Sequence, residues 1–173
     1  MNTAPRAASA DASFSRLLET LRPDLLRFAY WLARDRAVAE DVVQETLIRA
    51  WKSKSELKDP AAARPWLLTI VRREHARLYE RKRLPTIDVD SVEALGDPAL
   101  ASDGDSGVDD LRTALLQLPE EYREPLVMQV LGGFSTTEIA HELGLTQAAV
   151  LTRLFRARNR LRTIYGLTPV EED

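Results

Sequence analysis

Apolar residues recur along most of this chain at intervals of three and four, the spacing of amphipathic helices. Phe14, Leu17, Leu18 and Leu21 form a first stripe. Pro23, best tolerated in a first helical turn, is expected to start or kink a second segment carrying Leu25, Leu26, Phe28, Ala29 and Leu32. ARDRAVAED then breaks the pattern. In AEDVVQETLIRAW the period turns Ala39, Val43, Leu47 and Ala50 inward and leaves Asp41, Gln44, Glu45, Ile48 and Lys52 outward. The polar, proline-bearing KSKSELKDPAAAR reads as a loop of about ten residues. A helix then runs over about 62–82, burying Leu67, Ile70, Val71 and Leu78 and exposing Thr69, Arg72, Arg73, Ala76, Arg77, Glu80 and Arg83. Trp66 and Tyr79 lie at its flanks.

Residues 84–107 hold Gly, Pro, Ser and Asp without a sustained period, which predicts a linker. Val108, Leu111, Leu115 and Leu118 restart a helical stripe. Pro119 opens the next helix, with Tyr122, Leu126, Val127, Val130 and Leu131, and Pro125 is expected to kink it or turn it tightly. Gly132-Gly133 ends it. Ser135 and Glu138 fit a capping box, so a short helix starts there, with Ile139, Ala140 and Leu143 inward and Gly144 placed to end it in the left-handed conformation. Leu145 fills the corner, and Thr146 caps a longer helix whose inward face is Val150, Leu154, Ala157, Leu161 and Ile164. The expected fold is all-α: a helical domain over 11–83, an acidic flexible linker over 84–107, and a second helical domain over 108–166 that ends in a helix-turn-helix.

At 45% apolar and 29% charged residues the 173-residue chain has ordinary globular composition. Its net charge of −3 conceals opposed blocks: residues 1–83 carry 17 basic and 11 acidic side chains, 84–110 none and 8, and 111–173 7 and 8. Zero cysteines exclude a disulfide framework and thiolate metal sites. No apolar run reaches the roughly 20 residues a membrane span needs, and the N-terminal MNTAPRAASADAS lacks the apolar core of a signal peptide, so a cytoplasmic protein is expected.

On the last helix Thr152, Phe155, Arg156 and Asn159 point away from the inward stripe, flanked by Leu151, Arg153, Arg158, Arg160 and Arg162. Five arginines and no acid lie between 153 and 162. A capped short helix, a glycine turn and a basic second helix match the motif that enters a DNA major groove; a solvated surface helix is the alternative, and the arginine bias together with the capped first helix favours DNA. The block 64–83, with seven basic and two acidic residues, makes a second phosphate-seeking surface. Catalysis finds no support: there is no GxxxxGK loop, no HExxH, His75 and His141 stand far apart on predicted helix surfaces, and Glu120 and Glu121 are neighbours that do not face each other on a helix. No enzyme, cofactor or metal is expected.

With both modules in view, the chain resembles the extracytoplasmic-function sigma factors, small two-domain bacterial initiation factors of the sigma-70 superfamily. The likeness spans nearly all of 14–162. It rests on AEDVVQETLIRAW, RPWLLTIVRREHARLYERKR and LPEEYREPLVMQVLGGFSTTEIAHELGLTQAAVLTRLFRARNRLR, in the family's order, with the acidic linker before the third. The resemblance implies that the outward Asp41, Gln44, Glu45 and Ile48 bind core RNA polymerase. It implies that the loop 54–64 and the following helix open the minus-ten element and capture a flipped base, with Lys58, Arg64, Arg72, Arg73, Arg77 and Arg81 as the cationic track. The minus-thirty-five element then falls to Leu151, Thr152, Arg153, Phe155, Arg156 and Arg158. Two residues depart from the family's pattern: Arg73 stands where many relatives have asparagine in the capture pocket, and Leu151 where relatives commonly carry lysine or arginine. Core RNA polymerase, promoter DNA and a separate regulator such as an anti-sigma factor are the implied partners. A stand-alone helix-turn-helix regulator and a helical adaptor that contacts only proteins are the competing readings.

Overall fold

The computed structural model describes residues 4–83, in one compact unit, and 106–170, in a second. Among the described residues every regular element is helical.

In the first unit α1 (Ala4–Ala33), α2 (Arg36–Lys52) and α3 (Ala63–Arg83) each pack on the other two. Of the two expectations for Pro23, a new helix start is not what forms; the proline sits exposed inside one 30-residue helix. A proline inside a helix costs about 3 kcal/mol, but Leu18, Leu25, Phe28, Ala29 and Leu32 on either side of it are buried in the core, and that burial outweighs one lost backbone bond. The chain turns at Arg34, which adopts φ 60°, and Asp35 caps α2 by accepting a hydrogen bond from the Val38 amide at 3.0 Å. Ala39, Val42, Val43, Thr46 and Ala50 form the inner face of α2. Leu47, expected inside, is only half-buried: with Leu18, Ile48, Trp51 and Lys52 it lines an open, almost wholly apolar groove. Thr46 takes a core place because its hydroxyl donates to the Val42 carbonyl at 2.8 Å.

The expected loop between α2 and α3 holds two short 3-10 turns, Lys54–Glu56 and Pro60–Ala62. It is tied down at both ends. The Phe14 and Trp51 rings lie 5.7 Å apart, Lys54 pairs with Asp11 and sits 4.8 Å from the Trp51 ring centre, and Arg64 pairs with Asp24. On α3, Ala63, Leu67, Leu68 and Val71 are buried, while Ile70 and Leu78 are half-buried. His75 is buried too, not on the surface as the sequence suggested, and its ring stacks on Tyr79 at 6.3 Å.

The first described helix of the second unit is α4 (Ser106–Gln117), which starts two residues before the expected domain start at 108; residues 84–105 and the side chain of Val108 lie outside the described residues. On α4, Leu111 is exposed and Ala114 and Leu116 reach the core, as does Leu118 just after it. Pro119 precedes α5 (Glu120–Val130), which stays helical through the buried Pro125. Val130, counted in the apolar set, is 68% exposed, and Met128 fills the core instead. Beyond α5 the chain must pass very close to itself: a Cβ on buried Gly132 would lie 2.5 Å from the Phe134 ring and 2.6 Å from the Met128 carbonyl oxygen, and Gly133 adopts φ 73°. α6 (Thr136–Leu143) and α7 (Gln147–Ile164) follow, packed on each other and on α5.

Candidate nucleic-acid and polymerase interfaces

The helix-turn-helix is built by local hydrogen bonds the sequence announces. Ser135 Oγ accepts from the Glu138 amide at 3.2 Å while the Glu138 carboxylate accepts from the Ser135 amide and hydroxyl, each at 2.8 Å. These bonds, the one from the Ser135 backbone first, hold the Glu138 carboxyl below the usual carboxylate range. Gly144 takes φ 64°, and the Leu145 amide reaches back to the Ala140 carbonyl at 2.9 Å, closing a Schellman turn. Thr146 caps α7 through the Ala149 amide at 3.1 Å, and Gln147 donates to Thr136 at 3.0 Å, clamping the two helix starts together.

Val150, Leu154 and Ala157 bury the inner face of α7; Leu161 is half-buried and Ile164 exposed, so the inward stripe ends earlier than its period suggested. The outer face carries the expected residues. Leu151 is 53% exposed, Arg156 and Arg158 are exposed, and Thr152, Arg153 and Phe155 are half-buried. Arg158 donates to Gln129 on α5 at 2.6 Å, and Arg160 stands 4.9 Å over the Tyr122 ring. These contacts orient two of the five arginines. Tyr122, Arg156, Asn159, Arg160 and Thr163 line an open cavity of about 390 Å³.

Two features here had no clear signal in the sequence. Arg123, which the apolar stripe of α5 does not include, is buried and donates to the Leu118 carbonyl at 2.9 Å, closing the α4–α5 corner. At the other end of the unit Gly166, at φ 67°, reverses the chain in a second Schellman turn, in which the Leu167 amide donates to the Arg162 carbonyl at 2.8 Å. The tail then returns to α7. Asn159 donates to the Val170 carbonyl at 2.7 Å and accepts from the Val170 amide at 3.0 Å, so both ends of its amide are committed.

In the first unit the outward face of α2 is as expected: Asp41, Gln44 and Glu45 are exposed, and Ile48 is 42% exposed at the rim of the Leu18, Leu47 and Trp51 groove. On α3, Arg73, Arg77 and Arg81 follow one another at four-residue intervals along one side, with Arg72 adjacent. Arg73 and Arg81 are exposed; Arg72 and Arg77 are half-buried. Lys58 is exposed in the loop, whereas Arg64 is already engaged by Asp24. Glu74 changes the picture of this track. Only 6% exposed, its carboxylate stands 2.5 Å from Arg49 Nε on α2 and 3.5 Å from Arg77 Nη1, and Arg49 is itself 3.5 Å from Glu45. The Arg49 Nε is buried without an aligned hydrogen bond, so it is held by charge between two carboxylates. One residue of the acidic face and one of the basic track therefore share an ion network centred on buried Glu74, which periodicity could not reveal.

Among the described residues no cluster of His, Cys, Asp and Glu could hold a metal ion, and no helix is long and apolar enough to cross a membrane. His141 is exposed and far in sequence from buried His75.

Residues 17–84 match the family described as Sigma-70 region 2, and residues 109–161 match Sigma-70, region 4. The chain is 36% identical over 162 residues to the ECF RNA polymerase sigma factor SigL of Mycobacterium tuberculosis, covering 90% of this chain and 91% of that one. It is 30% identical over 146 residues to the ECF RNA polymerase sigma factor SigM of Bacillus subtilis, covering 83% and 89%. Among solved structures it resembles the sigma factor RpoE of Bartonella quintana, seen with the anti-sigma factor NepR, at a TM-score of 0.69 and 29% identity over 89% of this chain and 97% of that one. It also resembles CnrH, seen with the cytosolic domain of CnrY, at a TM-score of 0.58 and 26% identity over 94% of each.

Proposed function

We propose, on the premise that this chain belongs to the sigma-70 family as an ECF sigma factor directing transcription initiation, that its two units divide promoter recognition between them. Residues 11–83 bind core RNA polymerase through Asp41, Gln44, Glu45 and Ile48 and open the minus-ten element along Lys58, Arg64, Arg72, Arg73, Arg77 and Arg81. Residues 108–166 read the minus-thirty-five element with Leu151, Thr152, Arg153, Phe155, Arg156 and Arg158, and 84–107 is the acidic linker between them. The chain contributes binding and leaves catalysis to the polymerase, which places its work in the cytoplasm. A separate anti-sigma factor restrains it, as the solved neighbours with NepR and CnrY suggest.

The observation that carries this reading is the segregation of charge on packed helices. α2 presents Asp41 and Glu45 beside an exposed isoleucine and an apolar groove, a surface suited to a protein, whereas α3 and α7 present arginines suited to phosphates. Glu74 does not spoil the second surface, because it lies in the interior between Arg49 and Arg77.

The test is co-purification of the chain with core polymerase, followed by transcription from a pool of genomic fragments. The expected result is a stable complex that initiates at a small set of promoters sharing two elements, while the free chain stays monomeric and binds those promoters weakly. Tight, palindrome-specific binding by a dimer of the free chain would refute the proposal.

A further inference from the structure

The tail after α7 lies where a DNA-reading helix should be open. Asn159 belongs to the outer face of α7, one turn beyond Arg156, yet both of its amide groups are taken by the Val170 backbone. This is a made contact, not a trailing end. The Schellman turn at Gly166 aims the chain back, and two hydrogen bonds then fix its register on the helix. Next to the anchor, Arg156 and Arg160 contribute to the cavity that Asn159, Thr163 and Tyr122 also line. The sequence continues from Val170 with Glu171, Glu172 and Asp173. Three acids are thus tethered, at about 3.5 Å per residue of reach, to the middle of a cationic face.

We propose that this face of α7 is a docking surface for the chain's own acidic C-terminal segment, which competes with promoter phosphate for Arg156 and Arg160. The proposal rests on the reading of α7 as the minus-thirty-five helix and adds an intramolecular competitor to it. Charge complementarity selects the occupant: two arginines stand beside the anchor and three carboxylates follow it in the sequence, and DNA presents the same chemistry in the form of phosphates. A tethered competitor acts at an effective concentration set by its short tether, so weak pairing suffices to occupy the face in the free protein. Duplex DNA of higher charge density displaces it when the polymerase holds the second unit over the promoter, and the bridge between Asn159 and Val170 opens in the same event.

The competition leaves a signature in salt dependence. Arginines already paired with tail carboxylates have shed their counterions, so DNA binding by the native chain releases fewer ions than the number of phosphates contacted. Replacing the acids in the full chain (Glu171→Gln, Glu172→Gln, Asp173→Asn) restores those counterions. The logarithmic salt slope of holoenzyme binding to a selected minus-thirty-five duplex is then expected to steepen by about 0.9 for each arginine released, up to roughly two arginines, with affinity several-fold higher at low salt. Asn159→Ala undoes the anchor and is expected to produce part of the same gain, the two changes together adding little to either. In the free chain the Val170 amide should exchange slowly with solvent, lose that protection in Asn159→Ala, and lose it again when the duplex is added.

Arg156→Gln separates the two ideas. If it weakens duplex binding but the acid replacements alter neither slope nor affinity, α7 reads DNA and the docked tail is refuted. If Arg156→Gln itself changes nothing, the assignment of α7 falls and this proposal with it. A Val170 amide that exchanges freely in the unmodified protein would overturn the strap directly.

Discussion

Leu151→Arg tests the docking of α7 most sharply, because the structure separates its effect on binding from any effect on folding. Leu151 is 53% exposed and flanked in sequence by Val150, which is fully buried and carries the packing at that turn. Leucine and arginine have similar helix propensities, and surface replacements of this kind usually change stability by no more than about 0.5 kcal/mol. The variant should therefore melt with the native protein. Its effect on DNA depends on what residue 151 faces. Against a phosphate, one further cation steepens the logarithmic salt slope by about 0.9, so the gain in affinity shrinks about 3.5-fold between 50 and 200 mM salt. Against a guanine edge, a bidentate contact contributes about 1–3 kcal/mol of discrimination, roughly 5- to 150-fold in sequence preference at one position. The assay is selection from random upstream sequences by native and variant chains, each assembled with core polymerase, at both salt concentrations. Identical selected sequences with identical slopes would show that residue 151 faces neither base nor backbone, and the proposed phasing of α7 on DNA would be wrong.

Three further outcomes are expected. Asp41→Lys with Glu45→Lys should abolish co-purification with core polymerase and leave the helical circular dichroism unchanged, since both side chains are exposed and Glu74 still pairs with Arg49 when Glu45 is gone; retention on the polymerase would remove α2 from the interface. Gly132→Ala should destabilise the second unit by about 1–3 kcal/mol in chemical unfolding, because its methyl must displace both the Phe134 ring and the Met128 carbonyl, and an unchanged midpoint would mean that this turn relaxes freely. Glu138→Gln should lower stability at pH 7. The folded carboxyl titrates below the unfolded one, so its contribution is fully present above the ordinary carboxylate range and is lost as pH falls through the folded value; the gap between native and variant should narrow as pH falls below that range, and a gap independent of pH would remove the charge from the capping argument.

The helix-turn-helix was legible in the sequence because its chemistry is local. Ser135, Glu138, Gly144 and Thr146 each act within a few residues of themselves, and the bonds they announce are the bonds that form. Position along α2 and α7 was legible for a related reason: one face of a helix fixes the other, so Asp41, Glu45, Leu151 and Arg156 fall outside once Val43 and Leu154 go inside. What escaped depends on partners remote in sequence or on where a neighbouring element stops. Pro23 reads as a break until the helices packed on both sides of it are known. Ile164 and Val130 continue their stripes past the point where anything covers them. Thr46, Glu74, His75 and Arg123 look like surface residues, and each is buried. Hydrogen bonds or ion pairs hold Thr46, Glu74 and Arg123 there, and for Glu74 the decisive partner, Arg49, is contributed by another helix. The assignment of base and polymerase contacts came from family likeness, since exposure and charge alone do not distinguish a phosphate ligand from a solvated arginine.

The closed packing of α1 on both α2 and α3 also orders events during synthesis. No pair of these helices completes the core alone, so the first unit can fold only after α3 has left the ribosome. The end of α7 lies roughly 80 residues further on, which at bacterial elongation rates of about 5–20 residues per second delays it by about 4–16 s. The helices of the second unit, being close in sequence, then assemble with little loop entropy to overcome. For those seconds the nascent chain carries the helix proposed to face the polymerase and lacks the unit proposed to read the minus-thirty-five element. An encounter with core enzyme in that interval would engage a sigma factor that can dock but, on the proposed division, holds only one of its two promoter-reading units.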